Sequence, residues 1–451
     1  MLQRKITKEL LKWKNKSKKA LLVTGARQIG KSYAIREFGK ENYEVYFEAN
    51  LLLDKEARAS LTTAQNPTDF INRVVLLSHR TLIPGHTLIF IDEIQEYPDI
   101  VTMIKGLVED GRFSYAFSGS MLGTEFKGVT SFPVGFVEHI VMRPMDFEEF
   151  CWAIGIQQQY LDDIRLHMQN EQPVEQYLHE IMLKNFRTYV VAGGMPEVVQ
   201  KYIDNAFTLI ETQSLQSELV KQYAQDISKY AGERAFEVRA IFDRIPFELE
   251  SESKRFNFAS LHKGARFETY DHDFLWLVNA GVGIMVLQAT EAKSPLKRTE
   301  DVARFKLYQS DTGMLVSRYP QSTARAVYLD QKTPNLGGIY ENVVAQELAA
   351  QGIDAWYFMT QDIGEVDFLI EGTHGHIVPI EVKSGKKTRS HAALDRLLAV
   401  REYRINNAVV ISHTNIQREG AVLYLPFYTS FCLNQLTEQR ESSFTFAPAL
   451  P

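Results

Sequence analysis

Residues 20–33 constrain the fold more than any other stretch. They read Ala20-Leu21-Leu22-Val23-Thr24-Gly25-Ala26-Arg27-Gln28-Ile29-Gly30-Lys31-Ser32-Tyr33. An apolar run suited to a buried strand stops at Gly25, and a helical pattern begins near Lys31. The intervening spacing, G-x-x-x-x-G-K-S, is that of a phosphate-binding loop between strand and helix. Each residue type has a job there. The glycines allow a tight backbone turn, which brings the N–H groups of Gly25, Ala26, Arg27, Gln28, Ile29 and Gly30 toward phosphate oxygens. The helix opening at Lys31 aims its positive end at the same oxygens. The Lys31 ammonium can reach the β- and γ-phosphates, and the Ser32 hydroxyl can ligate Mg²⁺. ATP and Mg²⁺ are therefore the expected cofactors.

Leu88-Ile89-Phe90-Ile91-Asp92-Glu93 supplies a second element, a buried-type strand ending in two acids. Asp92 is placed to hold Mg²⁺ directly or through water, and Glu93 to polarise the attacking water. Ser114–Phe117 reads as a neighbouring strand that ends in Ser118-Gly119-Ser120. A polar side chain at that tip can sense the γ-phosphate, and both Ser118 and Ser120 are candidates; a plain strand-end turn is the alternative. Strands and helices alternate from 20 to 143, which implies a parallel sheet covered on both faces, with the nucleotide at the carboxyl ends of its strands.

The 451 residues suggest two to four domains. With 45% hydrophobic and 24% charged residues the composition is that of an ordinary globular protein. A net charge of −6 argues against a generic polyanion binder, so any DNA contact has to come from local patches. Cys151 and Cys432 have no metal-ligand spacing and read as free thiols in a reducing compartment. No apolar run approaches the roughly 18 residues of a membrane span. A cytoplasmic protein without a membrane partner is expected, as a monomer or a homo-oligomer.

Residues 1–143 form the expected ATPase domain. Its first 19 residues carry Arg4, Lys5, Lys8, Lys12, Lys14, Lys16, Lys18 and Lys19 against one acid, Glu9. Ile6, Leu10, Leu11 and Trp13 recur at roughly helical spacing. The stretch reads either as a solvated helix docked by its apolar stripe or as a nucleic-acid contact. Residues 144–230 show long amphipathic patterns broken at Gly193-Gly194-Met195-Pro196, and read as a helical lid. In 231–330, helices at 234–247, 255–265 and 270–281 precede two strands, 282–289 and 304–309. That order suggests a winged-helix-like module.

Residues 331–451 read as a second α/β unit with helix 338–350, strands 355–359, 365–370 and 377–382, helix 390–403 and strand 408–411. Glu341 falls on the first helix, Asp367 on the second strand, and Glu381-Val382-Lys383 at the end of the third. Acid, acid, then acid-x-lysine is the pattern of metal-dependent nucleases. Glu381 and Lys383 share a strand face, because side chains alternate. Asp367 on the adjacent strand can join Glu381 around a hard divalent cation, with Lys383 positioning the water. Lys386, Lys387, Arg389, Arg396, Arg401 and Arg404 follow; they read as a DNA-backbone track or a solvated face.

With these residues named, the chain resembles the AAA-type ATPases of bacteria and archaea that carry a C-terminal domain of unknown function. In that family the C-terminal part is similar to the PD-(D/E)xK nucleases. The shared markers are Thr24–Gln28 with Gly30-Lys31-Ser32, Phe90–Gln95, Gly119-Ser120, Pro144–Phe150, Gly193–Glu197, Asp311–Gly313, Glu341-Asn342, Glu365–Phe368 and Glu381–Ser384. The resemblance implies a multidomain α/β protein: a P-loop NTPase sheet of the ASCE/AAA type, a helical lid, a winged-helix-like module and a nuclease-like domain. It implies ATP binding. One position departs from it, because Gly135-Phe136 stands where many members carry Gly-Arg. Arg143, Arg187 or an arginine from a neighbouring subunit is then the candidate for meeting the γ-phosphate.

Overall fold

The computed structural model describes residues 2–120, 133–205, 208–331, 336–385 and 388–438. The chain forms two compact units. The first comprises 1–155, 192–244 and 259–283; the second comprises 156–191, 245–258 and 284–451. The helical region expected as one lid over 144–230 is thus divided, with 156–191 going to the second unit.

In the first unit, strands β1 (Ala20–Gly25), β2 (Val45–Asn50), β3 (Thr87–Asp92), β4 (Ser114–Ser120) and β5 (Val137–Val141) make one sheet in the order β2-β3-β4-β1-β5. Every pairing is parallel. β1 and β3 are buried along their whole length, as their unbroken apolar runs require. Helix α1 (Ile6–Lys16) buries Ile6, Leu10 and Trp13, and helix α2 (Lys31–Asn42) buries Ile35 and Phe38. Leu22, Phe47, Phe70, Ile89, Ile91, Ile100, Ile104 and Phe117 belong to the continuous core of the unit. The register sets Gly25 beside Ser120 and Asn50 beside Asp92. One end of the sheet therefore gathers the loop, the acids and the β4 tip.

In the second unit, β6 (Gly283–Ala289), β7 (Glu300–Gln309), β8 (Ala355–Thr360), β9 (Gly364–Glu371), β10 (Ile377–Val382), β11 (Ala408–Ser412), β12 (Gln417–Glu419) and β13 (Val422–Pro426) form an eight-stranded sheet. Its order is β12-β13-β11-β10-β9-β8-β6-β7. β8, β9 and β10 run antiparallel in turn; β10, β11 and β13 are parallel. The helix Leu336–Ala350 is buried from Gly338 to Leu348. This explains its apolar composition on every side. The pair β6–β7, expected as the wing of a separate module, extends this sheet at one edge. Residues 255–265, expected to be helical, hold a single 3₁₀ turn at Phe258–Ser260. The helix expected over 390–403 is shorter, Ala392–Ala399 followed by a 3₁₀ turn. Among the described residues no helix is long and apolar enough to cross a membrane.

Candidate functional site

At the carboxyl end of the first sheet the loop turns as its glycines dictate. Gly25 has φ 147°, and a Cβ there would lie 2.1 Å from the Met142 carbonyl oxygen. Only glycine fits so close an approach. Gly30 caps α2 in the left-handed region, with no side chain bonded to the first-turn N–H groups and no acid in that turn. Those amides and the positive helix end are left for an anion.

Lys31 is buried, and its Nζ donates to the carbonyls of Gly25 (3.1 Å) and Ala26 (2.8 Å). Among the described residues no carboxylate holds it directly. Burial pushes its ammonium down to about 8, against the opposing charges of Glu93 and Asp92. Asp92 is fixed at both oxygens: Ser118 Oγ donates to Oδ1, and Asn50 Nδ2 to Oδ2 at 2.8 Å. Ser118 thus orients the acid, and Asn50 is a partner that sequence reading did not foresee. Glu93 sits at φ 60°, and Gln95 Nε2 donates to its carboxylate. The Ser32 hydroxyl makes no hydrogen bond among the described residues. The Ser120 side chain lies outside the described residues, although its backbone ends β4 beside Gly25.

Two distant segments grip the loop. The long helix Leu209–Tyr230 takes its tip. Arg27 donates to Asp226 (2.6 Å) and Tyr230 (2.7 Å), Gln28 Nε2 to Gln222 (2.6 Å), and the Tyr223 hydroxyl to the Arg27 carbonyl (2.7 Å). Arg4 takes the base of the loop, donating to the carbonyls of Ile29 and Arg143, each at 2.7 Å, and to Glu149 at 3.0 Å. Lys5 pairs with Asp146 and Glu148. The acid-rich Asp146–Glu149 stretch is therefore the seat of the N-terminal cations Arg4 and Lys5. Their separation of about 140 positions left no local signal.

Arg143 lies two residues beyond the end of β5. Burial lowers its guanidinium, with no carboxylate opposing the shift. Its side chain has no hydrogen-bond partner among the described residues. Arg187 belongs to the second unit, where its charge bears on Tyr340 and His413.

The acids expected in the second unit do gather. Glu341 and Glu381 both act on Asp367 through their charges. Val382 N–H donates to Asp367 Oδ2 at 2.8 Å, and Lys383 Nζ pairs with Glu381 at 2.6 Å. Two further lysines join them. Lys306 on β7 is wholly buried, its Nζ 2.7 Å from Glu365, 3.2 Å from Glu341 and 3.7 Å from Asp367. Lys254 holds the other Glu341 oxygen at 2.7 Å. The pairing keeps both ammoniums above their ordinary value despite burial. Four carboxyls, Glu341, Glu365, Asp367 and Glu381, thus face three ammoniums, Lys254, Lys306 and Lys383. Burial, then the charges of Glu341 and Glu381, push Asp367 well up. Among the described residues no group of three acids, histidines or cysteines is arranged to hold a metal. Lys306 Nζ takes the space among Glu341, Glu365 and Asp367.

Of the expected basic track, Lys386 and Lys387 lie outside the described residues. Arg389 pairs with Glu419, and Arg396 donates to the Ile363 carbonyl.

A parallel sheet with a glycine-turned loop, an uncapped helix and an acid-tipped neighbouring strand defines a P-loop NTPase. The family described as "AAA domain" matches residues 17–151, so this part of the chain is an AAA-type P-loop ATPase domain. Residues 183–324 match a domain of unknown function (DUF8612), and 336–428 another (DUF4143). No curated protein matches the chain. Among solved structures, the Walker-type ATPase PABY2304 of Pyrococcus abyssi is similar at 12% identity and TM-score 0.41, covering 70% of this chain and 96% of that one. The Aeropyrum pernix ORC1 protein in complex with DNA has 11% identity and TM-score 0.27, covering 72% and 91%. The Pif1 helicase of Candida albicans has 13% identity and TM-score 0.24, covering 41% and 48%.

Proposed function

We propose that this protein is a Mg²⁺-dependent ATPase working as a nucleotide-driven switch, with a nuclease-like second unit whose acidic centre is catalytically silent. The observation that carries the ATPase reading is Lys31, a buried ammonium that among the described residues is held by loop carbonyls alone. It can trade those bonds for phosphate oxygens without breaking an ion pair. Amides from Gly25 to Ser32 cradle the phosphates. Ser32 and Asp92 are the residues that would hold Mg²⁺, which when bound offsets charge on the β- and γ-phosphates. Glu93 polarises the attacking water, and Arg143 is the cation within this unit for the γ-phosphate. The switch reading is supported by the grip of the long helix on Arg27 and Gln28, because a phosphate at the loop alters the backbone those side chains share.

The test is turnover beside affinity. Glu93→Gln should keep ATP binding and lose ATP hydrolysis by about a hundredfold or more. Lys31→Ala should lose both. Hydrolysis by Glu93→Gln at the wild-type rate refutes the assignment.

A second reading, in which the C-terminal unit cuts DNA, is supported by one atom. Glu381 Oε2 is buried with no partner, on the strand beside Asp367. Under that reading Asp367 and Glu381 would hold the cation, Lys383 would position the water and Glu341 would support the set. Mn²⁺- or Mg²⁺-loaded wild type and Glu381→Ala, each incubated with DNA with and without ATP, decide between the two. Equal products from both proteins leave only the silent centre.

A further inference from the structure

The opposite end of the first sheet, where β1 and β4 begin, holds a cavity of about 330 Å³. That volume lies at the lower end for small-ligand sites. Its walls are aromatic: Trp13, Tyr43, Phe113 and Tyr115 line it, with Lys18 and Lys19 beside them. Trp13 is locked in place, its indole N–H donating to the Lys19 carbonyl at 2.9 Å. Tyr43 and Phe113 are half-buried, with Lys14 over one ring and Arg112 over the other.

Three observations separate this hollow from a packing defect. Tyr115 is 2% exposed, yet its hydroxyl is buried with no hydrogen-bond partner among the described residues. A buried hydroxyl left unmet is destabilising, and phenylalanine would fill the same space without it. Next, the neighbouring cations divide into two sets. Lys14 bonds the Asn42 carbonyl and lies over the Tyr43 ring, and Arg112 is paired with Asp110. Lys18 and Lys19 are exposed, and neither ammonium has a partner among the described residues. Last, the N-terminal cations that form buried or part-buried ion pairs are Arg4 and Lys5, at the far end of α1. Docking of that helix does not account for the pair at its other end.

We propose that this cavity takes one nucleotide unit: a heteroaromatic ring against the Tyr43 and Phe113 faces, an acceptor atom on the Tyr115 hydroxyl, and a phosphate at Lys18 and Lys19. Ring stacking beside free cations is how single nucleotide units are held without base-pair readout. Two sources share this chemistry, a free mononucleotide and an unpaired nucleic-acid strand. The site is separate from the ATP loop, which lies at the other end of the same strands.

The full chain, its loop saturated with a non-hydrolysable ATP analogue and Mg²⁺, is titrated with AMP by calorimetry and with a fluorescein-labelled ten-base single strand by anisotropy. Binding of AMP alone identifies the free nucleotide as ligand; binding of the strand, with or without AMP, identifies the polymer. Lys18→Glu with Lys19→Glu should weaken the bound probe at least tenfold. For the strand, the double substitution should also flatten the log affinity against log salt slope by about 0.7 per lysine. Tyr115→Phe should weaken the bound probe severalfold while ATP turnover stays at wild type. A wild-type protein that binds neither probe overturns the proposal. So does a Tyr115→Phe protein that melts higher and binds the probe as before, because that result makes the cavity a defect in the core.

Discussion

The two units each set a buried lysine near carboxylates, and the two ammoniums are shifted in opposite directions. Lys306 touches three acids and is held above its ordinary value. Lys31 touches none, bonds two carbonyls, and is pulled down to about 8 by burial although Asp92 and Glu93 lie near. The difference is one of geometry. In the first unit Ser118 and Asn50 occupy both oxygens of Asp92, so the acid is aimed and kept off the lysine. In the second, Glu365 and Glu341 close directly on the ammonium. A lysine without an ion pair is available to an incoming phosphate; one already neutralised is part of the core. Similar residue types therefore make a binding site in one place and a closed charge cluster in the other.

The most severe way to break this comparison is to delete each ammonium while keeping its bulk. Lys306→Met leaves buried Glu341 and Asp367, and half-buried Glu365, with one compensating charge fewer. Breaking a buried pair in this way costs about 3–5 kcal/mol. Urea unfolding should show that loss in the transition of the second unit. Lys31→Met should do the reverse to the nucleotide-free protein, raising its stability while abolishing ATP binding. If both substitutions destabilise equally, the contrast is wrong.

The next test uses pH. Lys31 in the folded, nucleotide-free protein ionises near 8, below the 10.5 of an unperturbed lysine. A base with a lowered folded value costs stability while it is protonated. Its penalty is therefore full below pH 8 and disappears as pH rises from 8 to 10.5, a gain of about 3 kcal/mol from this group. Nucleotide binding has the opposite dependence. Phosphates restore the ammonium, so ATP affinity should fall by up to about tenfold per pH unit above 8. Calorimetry at pH 8.5 in two buffers of different ionisation enthalpy should register proton uptake on binding. Lys306, already paired, should contribute no such uptake.

These contrasts also mark what the chain revealed before its structure. The loop was legible because its work is done within eight consecutive residues, Gly25 to Ser32, whose spacing is set by the phosphate itself. The acids Glu341, Asp367 and Glu381 were legible as a group, since strand alternation and a helix seed were enough to bring them together. Their neutralisation was not. Lys306 lies 35 positions from Glu341 on a strand read as a wing, and Lys254 lies between two stretches expected to be helical, where no element was assigned. A signal was present: Lys306 interrupts the apolar run Phe305, Leu307, Tyr308, where a charge is tolerated only if it is paired. The grips of Arg4 and of the long helix on the loop span 25 and 199 positions, beyond any local pattern. β12 and β13 were passed over because they are short and follow a polar turn.

The smallest expected effect concerns the grip on the loop tip. Arg27 and Asp226 are partly exposed, so the pair itself stabilises the fold by no more than about 1 kcal/mol. Asp226→Asn should therefore leave the melting temperature nearly unchanged. Its value lies in what it uncouples. Tyr223, Asp226 and Tyr230 recur on one face of the helix Leu209–Tyr230, and each bonds Arg27. If the nucleotide acts on that helix through the tip, saturating ATP should slow amide exchange along 222–230 in the wild type. In Asp226→Asn with Tyr230→Phe the slowing should shrink severalfold, while ATP affinity changes by less than about threefold. Equal slowing in both proteins would mean that the helix answers to the nucleotide by another route, and that the loop tip is merely seated on it.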